Sequence, residues 1–210
     1  KEAFEKGIYL LDKNGNPQGY LNNSLSTDYS AIASESSKKG IDGGGIKYIG
    51  SSVPTSFGSL INSFSWKNFS VLFNVSYKLG YYFRKPSLTY NSLINNGRGN
   101  KEYSIRWQNP GDELITNVPS FIYPNDFNRD NFYSVSEINT LNGAHIRLQY
   151  INISYRTNNL FNLMDSKAEI YFNASNLGIL WNSNKYRYDP DMPGGVPAPK
   201  IFSLGLRSNF

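Results

Sequence analysis

The side chains able to do chemistry are few and dispersed. A single histidine, His145, and no cysteine leave neither an imidazole cluster nor a thiolate set for a transition metal. A Ser-His-Asp triad would depend on that one residue. Asp12-x-Asn14-x-Asn16 begins like an EF-hand loop, but Pro17 stands where the turn requires glycine and Asn23 where the loop ends on glutamate. Gly43-Gly44-Gly45 lacks the Lys-Ser/Thr of a phosphate loop, and Gly97-x-Gly99 continues to Glu102 instead of a third glycine. Both read as flexible loop. Asp189-Pro190-Asp191 has the residue types of a carboxylate pair or cation site. Its plainer reading is a Pro-fixed turn followed by Pro193, Gly194 and Gly195. His145, where a long loop enters a strand, reads as an interfacial polar residue. No catalytic residue, metal site or cofactor is expected, and the chain reads as a non-enzyme.

Aromatic side chains are the other candidate chemistry. Tyr90, Tyr103, Trp107, Phe121, Tyr123, Phe132, Tyr133, Trp181, Tyr186 and Tyr188 fall outside the strand-like segments, among Asn, Asp and Arg. They suit stacking on sugar rings or peptides at the mouth of a cavity. They also suit the mini-cores that long compact loops need. The net charge of +5 comes from 21 scattered Lys and Arg, whose densest group is Lys38-Lys39. Nucleic-acid binders gather such residues on one face, so no nucleic acid is expected. Asn (27) and Ser (26) favour turns over helices, which argues against an ordinary helical enzyme.

The elements that must position these residues are strands. From Phe69 to Phe83, the odd positions Phe69, Val71, Phe73, Val75, Tyr77, Leu79, Tyr81 and Phe83 are all apolar or aromatic, and the even positions are mostly polar or small. Period-two alternation predicts a strand with one greasy and one wet face, far longer than the ordinary strand of about 5–6 residues. Leu60–Trp66 precedes it across Lys67-Asn68. A two-residue turn there sets Trp66 opposite Phe69, Phe64 opposite Val71 and Leu60 opposite Val75, with Asn62 opposite Phe73 as the one break. Ile146–Arg156 changes parity midway, which predicts a β-bulge near Gln149–Ile151. Residues 167–177 set Ala168, Ile170, Phe172 and Ala174 on one face. The last segment sets Phe202, Leu204, Leu206, Ser208 and Phe210 on one face.

The connections alternate between short and long, and a leader of nearly sixty residues precedes them. Transmembrane barrels have short periplasmic turns and long extracellular loops. The predicted fold is therefore all-β. Antiparallel strands at about 59–66, 69–83, 146–156, 167–177 and 201–210 are joined to extracellular segments 1–58, 84–145 and 178–200. The odd residues of 69–83, with Ile170, Phe172, Leu204 and Leu206, are expected to face lipid. Five strands cannot close a barrel, whose usual minimum is about eight, so this chain is expected to be part of a larger one. A soluble β-sandwich adhesin or glycan-binding module is the rival reading, and a passive porin a third. Positions such as Asn74, Ser76 and Lys78 suit a watery lumen better than a second core.

Several blocks, taken in order, resemble SusC/RagA-like TonB-dependent outer-membrane transporters. Ser104-Ile-Arg-Trp-Gln-Asn-Pro-Gly-Asp-Glu113 with Val118-Pro119 is similar to that family's RW-x-NPGDE…P loop. Tyr48-Ile-Gly50, Pro54, Phe57-Gly58 and Asn62-Ser-Phe-Ser-Trp66 resemble its entry into a barrel hairpin, with Ser59 where a second glycine is common. Arg147–Tyr155, Phe172-Asn-Ala-Ser-Asn-Leu177 and Tyr188-Asp-Pro190 look like further family segments. Phe202, Leu204, Leu206 and Phe210 look like the C-terminal signal read by the barrel-assembly machinery.

This resemblance implies the C-terminal part of a barrel of about 22 strands, in the outer membrane of a Gram-negative cell. It implies a SusD-like surface lipoprotein as partner, and a TonB complex contacted through an N-terminal part not included here. The rest of the same barrel, lipid and lipopolysaccharide would be its other neighbours. The implied activity is import of glycans or peptides, with a non-transporting scaffold subunit as the alternative. On that reading Tyr103, Trp107, Tyr123, Trp181, Tyr186 and Tyr188 are candidate loop contacts to substrate or lipoprotein.

Overall fold

The computed structural model describes residues 10–39, 46–157 and 167–209. Gly43-Gly44-Gly45, most of the connection after Thr157, and Phe210 lie outside the described residues. In chain order the elements are β1 (Gly19–Leu21), β2 (Ser24–Ser26), α1 (Tyr29–Lys39), β3 (Ser56–Trp66), β4 (Phe69–Leu79) and β5 (Tyr82–Arg84). Then follow α2 (Tyr90–Asn96), α3 (Phe127–Val135), β6 (Thr140–Asn142), β7 (His145–Thr157), β8 (Lys167–Asn182) and β9 (Ile201–Asn209). Two compact units result: residues 1–49 with 84–140, and residues 50–83 with 141–210.

The second unit is built on an antiparallel sheet in the order β3-β4-β7-β8-β9. The β3–β4 hairpin turns through Lys67 at φ 52 and Asn68, and every pair expected from the two-residue turn is present, Trp66 on Phe69 to Leu60 on Val75. The parity change in β7 is a bulge: Asn74 of β4 faces Tyr150 and Val75 faces Leu148, leaving Gln149 unpaired in the ladder. Gln149 instead donates through Nε2 to Ser76 Oγ at 2.6 Å. Two further irregularities lie in β8. Tyr150 and Leu148 face Ser175 and Gly178, and Arg147 and Ile146 face Ile179 and Trp181.

Two strand ends differ most from the sequence reading. β4 stops at Leu79 instead of Phe83, because Gly80 adopts φ 71 and Thr55 Oγ1 occupies the place of any side chain there. Tyr81 therefore leaves the apolar stripe and is buried, and Phe83 belongs to the short β5–β6 ribbon. At about 3.4 Å per residue the eleven residues of β4 span about 37 Å, or roughly 26 Å along the normal at a 45° tilt. That matches the apolar band of about 25 Å in outer-membrane barrels. β8 runs on to Asn182, so Trp181 is a strand residue and not a loop aromatic.

The first unit carries the three helices. Asp126 caps α3, its carboxylate accepting from Asn128 N and Arg129 N, and α2 ends on Gly97 at φ 62. A small core of Leu88, Tyr90 and Val118 packs against Leu93, Ile94 and Tyr103. The buried Tyr29 of α1 meets Phe132 of α3 at 5.3 Å between ring centroids. Among the described residues, no helix is long and apolar enough to cross a membrane; strands are a separate matter.

Candidate functional site

Register assembles the sheet's faces row by row. On one face Trp66, Phe69, Tyr155, Ile170 and Leu206 lie side by side across all five strands. The next row is Phe64, Val71, Ile153, Phe172 and Leu204, and the one after it Asn62, Phe73, Ile151, Ala174 and Phe202. Beyond the bulge the stripe continues through Val75 with Leu148 and through Tyr77, Ile146 and Trp181. Many of these side chains are open to the surroundings: Phe64 is 66% exposed and Leu204 77%. A contiguous apolar surface of this extent exceeds what soluble monomers leave uncovered. Phe202, Leu204 and Leu206 all project from it, and the Phe172 and Phe202 rings stack at 6.2 Å.

The opposite face is wet. Its rows run Ser65, Ser70, Ser154, Tyr171 and Gly205, then Ser63, Leu72, Asn152, Asn173 and Ser203. Asn152 donates to Asn173 across the strands, and Ser65 and Ser70 share a hydrogen bond at 3.0 Å. The Tyr171 ring lies over the backbone of Gly205, where a Cβ would meet it at 2.3 Å.

At the loop end of this wet face the Asp189-Pro190-Asp191 segment folds onto basic side chains of β4 and β7. Arg147 Nη2 lies 2.6 Å from Asp189 Oδ1 and 3.3 Å from Asp191 Oδ2. Lys78 Nζ donates to Asp191 Oδ1 at 2.7 Å, and His145 Nε2 lies 3.3 Å from Asp191 Oδ2. Partial burial alone raises the Asp191 carboxyl, but the Lys78 hydrogen bond and the charges of His145, Lys78 and Arg147 hold it below the usual carboxylate range. His145 is buried, with Nδ1 against Gly143 O at 2.9 Å and Tyr81 Oη at 3.3 Å. The two aspartates form a strap held by side-chain cations, a third outcome beside the bare turn and the metal site. No group of three or more His, Cys, Asp or Glu poised for a metal occurs among the described residues.

In the first unit the Arg106–Glu113 segment closes on itself. Asp112 Oδ2 accepts from Gln108 N and Asn109 N, both at 2.9 Å, and these bonds lower its carboxyl. Glu113 Oε2 takes the Trp107 indole N–H at 2.9 Å, the first cause of its own lowered value, and Gly111 N at 2.9 Å. Trp107 is thus a structural member of the turn. Tyr103 packs under the Arg106 guanidinium at 4.0 Å. Tyr188 is clasped through its backbone by Asn182 and Asn184. Tyr123 and Tyr186 remain outward, Tyr123 at 77% exposure. Sequence reasoning missed the aliphatic side of this surface. Ile115, 85% exposed, lines an open cavity of about 430 Å³ with Ile105, Arg106, Asn109, Asp112 and Thr116. An isoleucine in an Asn/Ser-rich loop carries no pattern that separates a surface from a mini-core.

Asp12 closes a local turn. Its Oδ1 accepts from Asn14 N and Asn16 N at 2.8 Å, closing a tight loop whose Gly15 carbonyl receives the buried Arg129.

No family model matches the chain. No curated protein matches it in sequence. Solved structures do. The RagAB peptide importer in its open-open state superposes with a TM-score of 0.59 at 20% identity, over 95% of this chain and 21% of that one. The RagAB peptide transporter gives 0.57 at 22% identity, over 93% and 21%, and the importer's closed-closed state 0.54 at 20%, over 93% and 21%. The chain spans about a fifth of the length of these proteins. By fold it is similar to a segment of these importer structures.

Proposed function

We propose that the chain is the C-terminal barrel segment of a TonB-dependent outer-membrane importer that works with a SusD-like surface lipoprotein. The observation that carries this reading is the uncovered apolar stripe, continuous over five strands and backed by a wet face. Lipid chains are the solvent such a stripe requires, and a water-filled lumen suits the other side. The open edges of β3 and β9 then pair with other strands of the same barrel, since unpaired backbone in hydrocarbon is unfavourable by several kcal/mol per group. The loops lie outside the cell. The outward Tyr123 and Tyr186 and the Ile105–Ile115 surface face the lipoprotein or the cargo, a peptide or a glycan. A peptide is the nearer expectation, because the matched structures are of a peptide importer.

The test compares adjacent positions on the two faces of β4. Val71→Arg places a charge in lipid and should destabilise the barrel by about 2–4 kcal/mol, whereas Ser70→Arg faces the lumen and should lie within about 1 kcal/mol of the parent. Urea titration of the full-length protein in bilayers reads both. Equal effects from the two substitutions would remove the membrane reading.

A further inference from the structure

The Asp189–Asp191 strap is closed in part by a ring sealed from solvent. His145 is 1% exposed, so bulk water reaches neither ring nitrogen. Nδ1 lies 2.9 Å from Gly143 O, and Nε2 lies 3.3 Å from Asp191 Oδ2. A backbone carbonyl and an ionised carboxylate only accept. A neutral ring carries one N–H, and whichever nitrogen holds it, the other aims a lone pair at an oxygen. The Tyr81 hydroxyl also approaches Nδ1, but at 3.3 Å it stands farther off than the carbonyl. The imidazolium, a donor at both nitrogens, satisfies both neighbours. Charge counting alone would not give it, since Lys78 and Arg147 already match Asp189 and Asp191. The charged groups around the ring are Lys78, its ladder partner on β4, Arg147 on its own strand, and the two aspartates of the strap. Its ladder partner on β8, Asn182, is uncharged.

We propose that His145 is a proton-binding site that latches the strap, and that loss of this one proton loosens Asp191. The latch is made by hydrogen bonding within one unit, and it holds whatever covers the apolar face. What it controls is the segment that follows. Residues 192–200 are exposed, and at their far end Asn176 Nδ2 donates to Pro199 O at 3.0 Å. Asp191 fixes their near end. With the proton bound, both ends of the segment are held. Without it, the Nε2 lone pair faces the carboxylate, and Lys78 and Arg147 must hold Asp191 against that repulsion. The contribution of the latch is present while the ring is charged and is lost as pH rises and the proton leaves.

The test labels the histidines of the full-length protein, in bilayers, with nitrogen-15 and assigns to His145 the ring signals that His145→Gln removes. At about pH 6 both ring nitrogens should carry protons. Between about pH 6 and about pH 10 one proton should leave. Over the same interval the protection factors of the Tyr188–Met192 amides, read by hydrogen exchange, should fall about tenfold or more. His145→Gln should show the lower protection throughout, with no step. Four results overturn the proposal: a ring with one bare nitrogen at the acid end, a ring that keeps both protons to the alkaline end, a proton lost with protection unchanged, or a step that persists in His145→Gln. If His145→Gln does not assemble, Asp191→Asn supplies both the assignment and the comparison. Only the His145 ring signals should move in it, and an alkaline step retained there overturns the latch equally.

Discussion

The first unit owes much of its order to a few buried polar side chains. Glu102 is buried with Lys85, which donates to its Oε1, while Leu88 N at 2.8 Å and Tyr133 Oη at 3.1 Å both donate to Oε2. Glu102→Gln leaves the Lys85 ammonium covered without a counter-charge. It should destabilise this unit by about 3–5 kcal/mol, seen as faster proteolysis within residues 84–140. The tyrosines make a second prediction. Burial raises the Tyr29 hydroxyl to about 12 and lifts Tyr90 further still, each donating to a proline carbonyl, Pro17 O at 3.0 Å and Pro119 O at 2.6 Å. A raised phenol favours the fold below the ordinary value of 10.0 and loses that contribution as pH climbs through the raised one. Ultraviolet titration should therefore show tyrosinate at Tyr29 and Tyr90 forming only together with unfolding, near or above pH 12. Little of this was legible in the sequence, where Glu102 served only as evidence against a glycine motif. A buried ion pair is made by partners seventeen residues apart meeting in three dimensions, and no local spacing announces it.

Strands were far more legible than their ends. Alternation and a two-residue turn sufficed to place every β3–β4 pair, because a slip of one residue would turn the whole apolar set to the wet side. Where β4 stops depended on Gly80 and Thr55, a backbone angle and a side chain from another segment. Trp181 was assigned to a loop because the irregularities in β8 break the period that marks a strand. The Asp189–Asp191 strap belongs to this scale as well. Removing both charges in Asp189→Asn/Asp191→Asn strands Lys78 and Arg147 and should raise hydrogen exchange of the Tyr188–Met192 amides about tenfold or more. Acid does the same later than for an ordinary aspartate. Because the Asp191 carboxyl is held low, its contribution is present above the usual range and is lost only as pH falls through the lowered value. Protection factors of these amides, measured from pH 6 downward, should hold until pH nears the ordinary aspartate value of 3.8 and fall below it.

At the scale of the whole molecule, the five strands present, among the described residues, one exposed apolar face, one wet face and two edges without a partner strand, a combination that calls for a covering partner. The superposition on about a fifth of much longer proteins agrees with that physical argument. The bulge at Gln149 ties the two halves of the sheet into a single phase, and this has a heritable consequence. Each strand carries a reading frame in space, set by which side of the sheet each residue takes. Deleting Gln149 would only remove the bulge, because Leu148 and Tyr150 already take opposite sides; deleting Leu72 from the regular ladder of β4 would instead send Phe69 and Val71 to the wet side and Ser70 to the apolar one. A deletion among the exposed residues 192–200 changes no residue's side. The single-codon deletion at 72 should abolish heat-modifiable protein, and loss of Val196 should leave its yield within about twofold of the parent. Outside the loops and the bulge, the gain or loss of one residue therefore moves side chains to the opposite face, and lineages of this sheet should accumulate length variation almost entirely in its connections.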